Sequence, residues 1–188
     1  MNIPVIFRTS LFLLVAASLS GCFGSGSKSE PSICQLLEEN EEWAQPLVLA
    51  QNKYGTPLSL TLVLLEQPLS ELDKQHIQPR SADWDEYRIR SENWGASQKS
   101  PYDAVDFIGW FSRESLKRNK ISWNDVSAHY LSYRLGHGAY HRFEPEKYPE
   151  LVQQAERIEQ KSNLWQQQLK NCKPQLQEKS WFSKLKFW

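Results

Sequence analysis

The 188-residue chain carries 22 Lys and Arg against 22 Asp and Glu, so it is formally neutral at pH 7. That balance lacks the basic bias that phosphate backbones require, and no nucleic acid is expected as a partner. The aromatic content stands out: eight Trp, several in polar segments such as Asn93-Trp94-Gly95 and Ser122-Trp123-Asn124, where an indole suits either a core or the face of a sugar.

Arg8 precedes the apolar run Leu11 to Ala17 and then Leu19-Ser20-Gly21-Cys22, the order of a secretory signal peptide. The apolar run is far shorter than the roughly 20 residues a membrane-spanning helix needs. The Leu-Ser-Gly-Cys ending resembles a bacterial lipoprotein signal, which implies removal of residues 1–21 and lipidation of Cys22. Phe23 follows the cysteine, and by the same resemblance implies an outer-membrane address facing the periplasm. Residues 22–32, rich in Gly and Ser, read as a flexible tether.

A folded domain is expected over residues 33–172, a size suited to one core. Ile33 to Tyr54 spaces Leu36, Leu37, Trp43, Leu47, Val48 and Ala50 as one or two amphipathic helices. Gly55-Thr56-Pro57 breaks the pattern. Thr56 then serves as N-cap and Pro57 as first-turn residue of a buried helix over Leu58 to Leu65, a strand being the alternative. Pro68 ends that helix, and Leu69 to Asp83 reads as irregular. Tyr102 to Lys117 is an amphipathic helix with Val105, Ile108, Phe111, Ser112 and Ser115 on its inner face. Trp123 to Arg134 is another, with Ser122 as N-cap and Asp125 in its first turn, stopped by Gly136-His137-Gly138. Tyr148 to Leu169 is a long polar helix with Leu151, Val152, Ala155, Ile158, Leu164, Trp165 and Leu169 as its stripe. The fold class is therefore mainly α.

With Cys22 assigned to lipid, Cys34 and Cys172 remain, one at each end of the domain, in a chain exported to an oxidising compartment. A disulfide between them is expected, with two buried thiols as the alternative.

Three stretches carry a wider resemblance: Trp84-Asp-Glu-Tyr-Arg88 with Glu92-Asn-Trp-Gly-Ala96; Asp103-Ala-Val-Asp-Phe-Ile-Gly-Trp110; and Tyr130-Leu-Ser-Tyr-Arg-Leu-Gly-His-Gly-Ala-Tyr140. In order and spacing they resemble a lipoprotein subgroup of the soluble lytic transglycosylases (SLT), lysozyme-like enzymes that cleave peptidoglycan glycan strands. The resemblance implies a single lysozyme-like helical domain and glycan strands as partner. It also implies a proton-donating glutamate at the end of the helix that begins Gly-x-Pro, thirteen residues after the glycine. Such an acid works by being partly desolvated, which keeps its proton available to the glycosidic oxygen.

Counted from Gly55, that position is Pro68, which cannot donate a proton. Glu66 is the nearest carboxylate and the candidate catalytic residue, but two residues turn a helical side chain by roughly 200°. Glu71 is a weaker candidate. The family's Gly-Tyr-Ala-Gln segment falls on Gln75-His-Ile-Gln78, leaving Gln78 as its remaining member. Its Tyr-His-Glu-Gly falls on Tyr133-Arg134-Leu135-Gly136. Tyr133, Gly136, Tyr140 and Gln78 are the implied substrate-binding residues, with core packing the alternative for the tyrosines.

His129, His137 and His141 do not form a metal motif, and neither a phosphate loop nor a nucleophile elbow is present, so no metal or cofactor is expected. In residues 173–188 a helix would place Trp181, Leu185 and Trp188 on one face with Phe182 beside them, the pattern of a segment that contacts a membrane or a protein partner. The expectation is an envelope lipoprotein with an SLT-like domain of impaired catalysis, acting in peptidoglycan binding or envelope-complex assembly. The alternatives are an active lytic transglycosylase using Glu66, and a structural lipoprotein without glycan contact.

Overall fold

Helices α1 (Ile33–Glu39), α2 (Glu41–Tyr54), α3 (Leu58–Leu65), α4 (Ser81–Arg90), α5 (Pro101–Asn119), α6 (Val126–Leu135), α7 (His137–Tyr140) and α8 (Pro149–Gln168), with a 3-10 turn at Pro145–Lys147, carry the chain. The structure is a computed structural model that describes residues 32–66 and 80–172, all within the compact unit Pro31–Trp188. No strand occurs among the described residues, so the expected mainly-α class is what the chain adopts. Among them no helix is long and apolar enough to cross a membrane. The expectations on Cys22, Gln75 to Gln78, Pro68, Glu71, Trp181, Phe182, Leu185 and Trp188 lie outside the described residues.

Helix α3 forms the centre. Ser59, Leu60, Thr61, Leu62, Val63 and Leu64 are all buried, and a helix apolar on every side is stable only when other elements surround it. It packs against α2, α5, α6 and α8. The chain enters α3 through Gly55, whose φ of 76° closes the end of α2, a left-handed conformation that glycine adopts without a Cβ penalty.

Two expected caps are corrected. Thr56 does not cap α3; its buried hydroxyl donates to the Gly109 carbonyl of α5 at 3.2 Å, and Pro57 takes the N-cap position. Ser122 does not cap α6 either. Asp125 is the N-cap, its Oδ1 accepting from the Ala128 amide at 2.9 Å, because the Ser122 to Asp125 stretch closes first as a turn. The irregular reading of Leu69 to Asp83 is also cut short, since α4 already begins at Ser81. Only Trp84 and Tyr87 of α4 are buried, too few apolar residues for the periodicity to stand out.

Helices α5, α6 and α8 follow the expected ranges to within a few residues. Ser100 caps α5, accepting from the Asp103 amide at 3.3 Å, and Val105, Ile108, Phe111, Ser112 and Ser115 are buried as expected. On α8, Ala155, Ile158 and Trp165 are buried, whereas Leu164, expected in the stripe, is 47% exposed. Cys34 and Cys172 form the expected disulfide, with Cα atoms 5.3 Å apart. Beside it the Ile33 amide donates to Gln168 Oε1 at 2.8 Å, so both ends of the domain are fastened together.

The aromatic core comes from the three stretches singled out in the sequence. Trp84 and Tyr87 of α4 meet Phe107 and Trp110 of α5 with ring centroids 5.2–5.6 Å apart, and Tyr133 of α6 meets Phe111 edge-on at 5.6 Å. Edge-on and tilted aromatic contacts of this kind add to the burial of large apolar area.

Candidate functional site

Asp106 organises the junction of α2, α4 and α5. Its Oδ2 accepts the hydroxyls of Tyr54 and Tyr87, both at 2.9 Å, while Lys53 Nζ pairs with Oδ1 at 2.9 Å. One turn earlier, Asp103 accepts from Asn93 Nδ2 and from the Ser97 amide, both at 3.0 Å. The two aspartates of the Asp-Ala-Val-Asp stretch thus hold α2, α4 and the loop before α5. Burial, and after it the Asp106 charge, raises the pKa of both Tyr54 and Tyr87, so the phenols stay neutral donors.

A second network fixes α4 on α5 from the other end. Arg118 grips Glu86 bidentately, Nη1 to Oε2 at 3.1 Å and Nη2 to Oε1 at 2.5 Å, and its Nε donates to Glu114 Oε2 at 3.0 Å. The Arg118 hydrogen bond, foremost, holds the Glu86 carboxyl below its ordinary range. This forked geometry matches the planar guanidinium to a carboxylate, and it ties the middle of α4 to the last turns of α5.

Glu66 ends α3. Its Oε2 lies 2.6 Å from Lys161 Nζ on α8, the two side chains being 30% and 17% exposed, and the same ammonium sits 4.8 Å above the Trp165 ring. The carboxylate therefore closes against a lysine of a neighbouring helix. A proton donor to a sugar oxygen instead needs a partly desolvated carboxyl aimed at the substrate.

Tyr133 is 4% exposed, its ring faces Phe107 and Phe111, and its hydroxyl has no hydrogen-bond partner. Burial pushes its pKa up, against the pull of the Arg134 charge and with a smaller push from Asp83. Gly136, one turn on, has a φ of 82°, and a Cβ built on it would collide with the Arg80 guanidinium and come within 3.5 Å of Asp83 Oδ2. Arg80 Nε stands 3.9 Å from Asp83 Oδ2, and burial raises the Asp83 carboxyl above its ordinary pKa against the opposing pull of Arg80. Tyr133, Gly136, Arg80 and Asp83 thus gather at the meeting of α4 and α6. Tyr140 is half-buried nearby in sequence on α7, and the Arg134 guanidinium lies 6.0 Å over the Tyr130 ring.

Two of the three histidines are buried in unlike settings, and His141 is exposed. His129 is 1% exposed and stacks on Trp123 at 5.4 Å; His137 stacks on Phe111 at 4.1 Å and bonds Ser115 Oγ through Nε2 at 3.0 Å. Among the described residues no group of three or more His, Cys, Asp and Glu is placed to hold a metal.

The model of the family described as Transglycosylase SLT domain matches residues 10–77 and 72–172. The chain belongs to the transglycosylase SLT domain family. No curated protein and no solved structure matches it. Family membership agrees with a lysozyme-like helical domain and a transglycosylase-like function, and the family implies peptidoglycan glycan binding. Within the SLT domain, Arg80, Asp83 and Lys161 carry features that the sequence does not announce. Arg80 and Asp83 fall in a stretch that reads as irregular, and Lys161 lies on the polar side of a long helix. The one available signal is the i, i+4 spacing of Lys161 and Trp165, which brings an ammonium over a ring.

Proposed function

We propose that this SLT domain binds peptidoglycan glycan strands without cleaving them efficiently, as part of an envelope lipoprotein. The observation that carries this reading is the Glu66–Lys161 ion pair. The position counted from Gly55 for a catalytic acid is Pro68, and the remaining carboxylate of the helix end is engaged by an ammonium on α8. The matched stretches, by contrast, supply the aromatic core and the Asp103 and Asp106 networks, so their retention preserves the fold whatever the chemistry. In this reading Gly136 and Tyr140 border the glycan groove, Tyr133 packs in the aromatic core, and Gln78, which the resemblance implies for substrate binding, lies outside the described residues. The Leu-Ser-Gly-Cys22 signal supports lipid anchoring and, with Phe23, a periplasm-facing outer-membrane location. Trp181, Phe182, Leu185 and Trp188 suit contact with the membrane or with an assembly partner.

The test is muropeptide release from purified peptidoglycan by the full chain in detergent, run beside Glu66→Gln, with co-sedimentation on the same material. Pelleting with peptidoglycan and no release above background is the expected result. Release that disappears in Glu66→Gln would make Glu66 the general acid of an active lytic transglycosylase. Absence of both release and pelleting would leave a structural lipoprotein.

A further inference from the structure

We propose that Arg134 of α6 and Arg157 and Gln154 of α8 form a site for a phosphate group, carried by a lipid headgroup or by a soluble phosphate. This stands apart from glycan binding and concerns a different class of ligand.

Tyr130 is the fixed centre of the cluster. The residue is 2% exposed, and its hydroxyl donates to Gln154 Oε1 at 3.2 Å, joining the packed helices α6 and α8. That bond also sets which way the Gln154 amide faces. Its oxygen is engaged by the phenol, and the two N–H donors of Nε2 have no hydrogen bond of their own among the described residues.

The two arginines flank this bond. Arg134 follows Tyr130 by one helical turn, and its guanidinium lies 6.0 Å over the Tyr130 ring, where the ring quadrupole attracts a cation. Arg157 follows Gln154 by three residues on α8 and is exposed, as is Gln154, while Arg134 is half-buried. Burial raises the pKa of the Tyr130 hydroxyl, and the charges of Arg134 and Arg157 both oppose that rise. Both guanidiniums therefore act on one oxygen from two different helices.

Neither arginine forms an ion pair among the described residues. Glu159, one turn below on α8, is engaged elsewhere, accepting from Ser127 at 2.5 Å. Two like charges are thus gathered without a counter-charge, and an anion between them would relieve their repulsion. The donor set favours phosphate over carboxylate. A carboxylate has two oxygens, which one guanidinium fork already fills. A phosphate monoester has three, with a charge of about −1.5 to −2 at pH 7, and can accept from both guanidiniums and an amide N–H at once.

The experiment titrates the full chain in non-ionic detergent with inorganic phosphate, with dihexanoyl phosphatidate and with acetate, read by isothermal titration calorimetry. Saturable binding of a phosphate ligand is expected, with acetate at least about tenfold weaker. Arg134→Gln and Arg157→Gln should each weaken phosphate binding roughly tenfold, the worth of a charge-assisted hydrogen bond. Arg157 is exposed, so its variant separates a lost contact from a lost fold. Gln154→Glu keeps the acceptor for Tyr130 but puts a carboxylate in place of the amide donors, and should abolish binding. Arg113→Gln removes an exposed charge on α5 and should change nothing. Tighter binding of phosphatidate than of inorganic phosphate assigns the site to a lipid headgroup, and equal or weaker binding assigns it to a soluble phosphate. No saturable binding of either, acetate binding as tightly, or an equal loss in Arg113→Gln overturns the site.

Discussion

Glu66 and Lys161 face each other across α3 and α8 at 2.6 Å, with the lysine resting on Trp165. The carboxylate Oε2 is buried and its contact is one of charge, without hydrogen-bond alignment. Lys161→Met should leave that oxygen without its counter-charge. The expected cost is about 1–3 kcal/mol, the penalty of a desolvated group whose partner is removed, discounted from the full buried-pair value because both side chains are partly exposed. Urea unfolding of Lys161→Met, Glu66→Gln and the double variant checks this, since the double variant should recover part of the loss if the two residues are coupled. Additive losses would show the pair to be energetically independent.

The Asp106 junction is more demanding, because one carboxylate serves two phenols and a lysine. Asp106→Asn would keep the shape but replace a charged acceptor, shared by Tyr54 and Tyr87, with a neutral amide. A loss of about 2–3 kcal/mol is expected, in the range for hydrogen bonds to a charged group. Tyr54→Phe and Tyr87→Phe should each cost about 1 kcal/mol in the wild-type background and markedly less in Asp106→Asn. Thermal melts of the wild type, the three single variants and the two double variants decide it: phenylalanine variants that cost the same with and without Asp106 would mean that ring packing alone matters.

How far the sequence anticipates this architecture depends on the kind of signal. The run Leu58 to Leu65 is apolar on all sides and becomes the buried central helix, because such a run has no other stable placement. The disulfide follows from counting cysteines in a chain whose first residues read as a secretory signal. Helix α4 escapes because Trp84 and Tyr87 are its only buried residues, its remaining surface being mostly charged and its other large apolar residue, Ile89, exposed. Asp106 reads as an ordinary polar-face residue, since nothing in a linear pattern shows that Tyr54 and Tyr87 converge on it. The Glu66–Lys161 contact and the Arg80, Asp83 and Gly136 cluster join residues far apart in the chain, and only tertiary packing brings them together.

The Cys34–Cys172 bond spans a sequence separation of 138 residues. In the chain-entropy account, a loop of that length restricts the unfolded state by about 5 kcal/mol. Paired Cys34→Ser and Cys172→Ser substitutions, or reduction, should therefore lower the melting temperature substantially, an effect readable by circular dichroism with and without dithiothreitol. The Ile33 amide bond to Gln168 would remain and is too weak to compensate. A melting temperature unchanged by reduction would mean that the unfolded chain is already held compact.

Two buried histidines set the acid limit of the fold. Burial, first, lowers the pKa of both His129 and His137 from 6.5 to about 4, because the charged ring is disfavoured where water is excluded. In the unfolded chain each ring protonates near 6.5, so above that pH both states are neutral and the stability is fully present. As pH falls below 6.5 the unfolded state binds protons that the folded state refuses, and stability drops until the folded rings protonate near 4. Each histidine then withdraws on the order of 3 kcal/mol across this window. His129 is the better probe, since both its ring nitrogens lack hydrogen-bond partners and it stacks flat on Trp123. His129→Phe keeps the stack, removes one titration, and should flatten the fall in stability between pH 6.5 and 4 by about half. Denaturant unfolding across that range measures the slope directly, and an unchanged slope in His129→Phe would place the acid sensitivity on other groups.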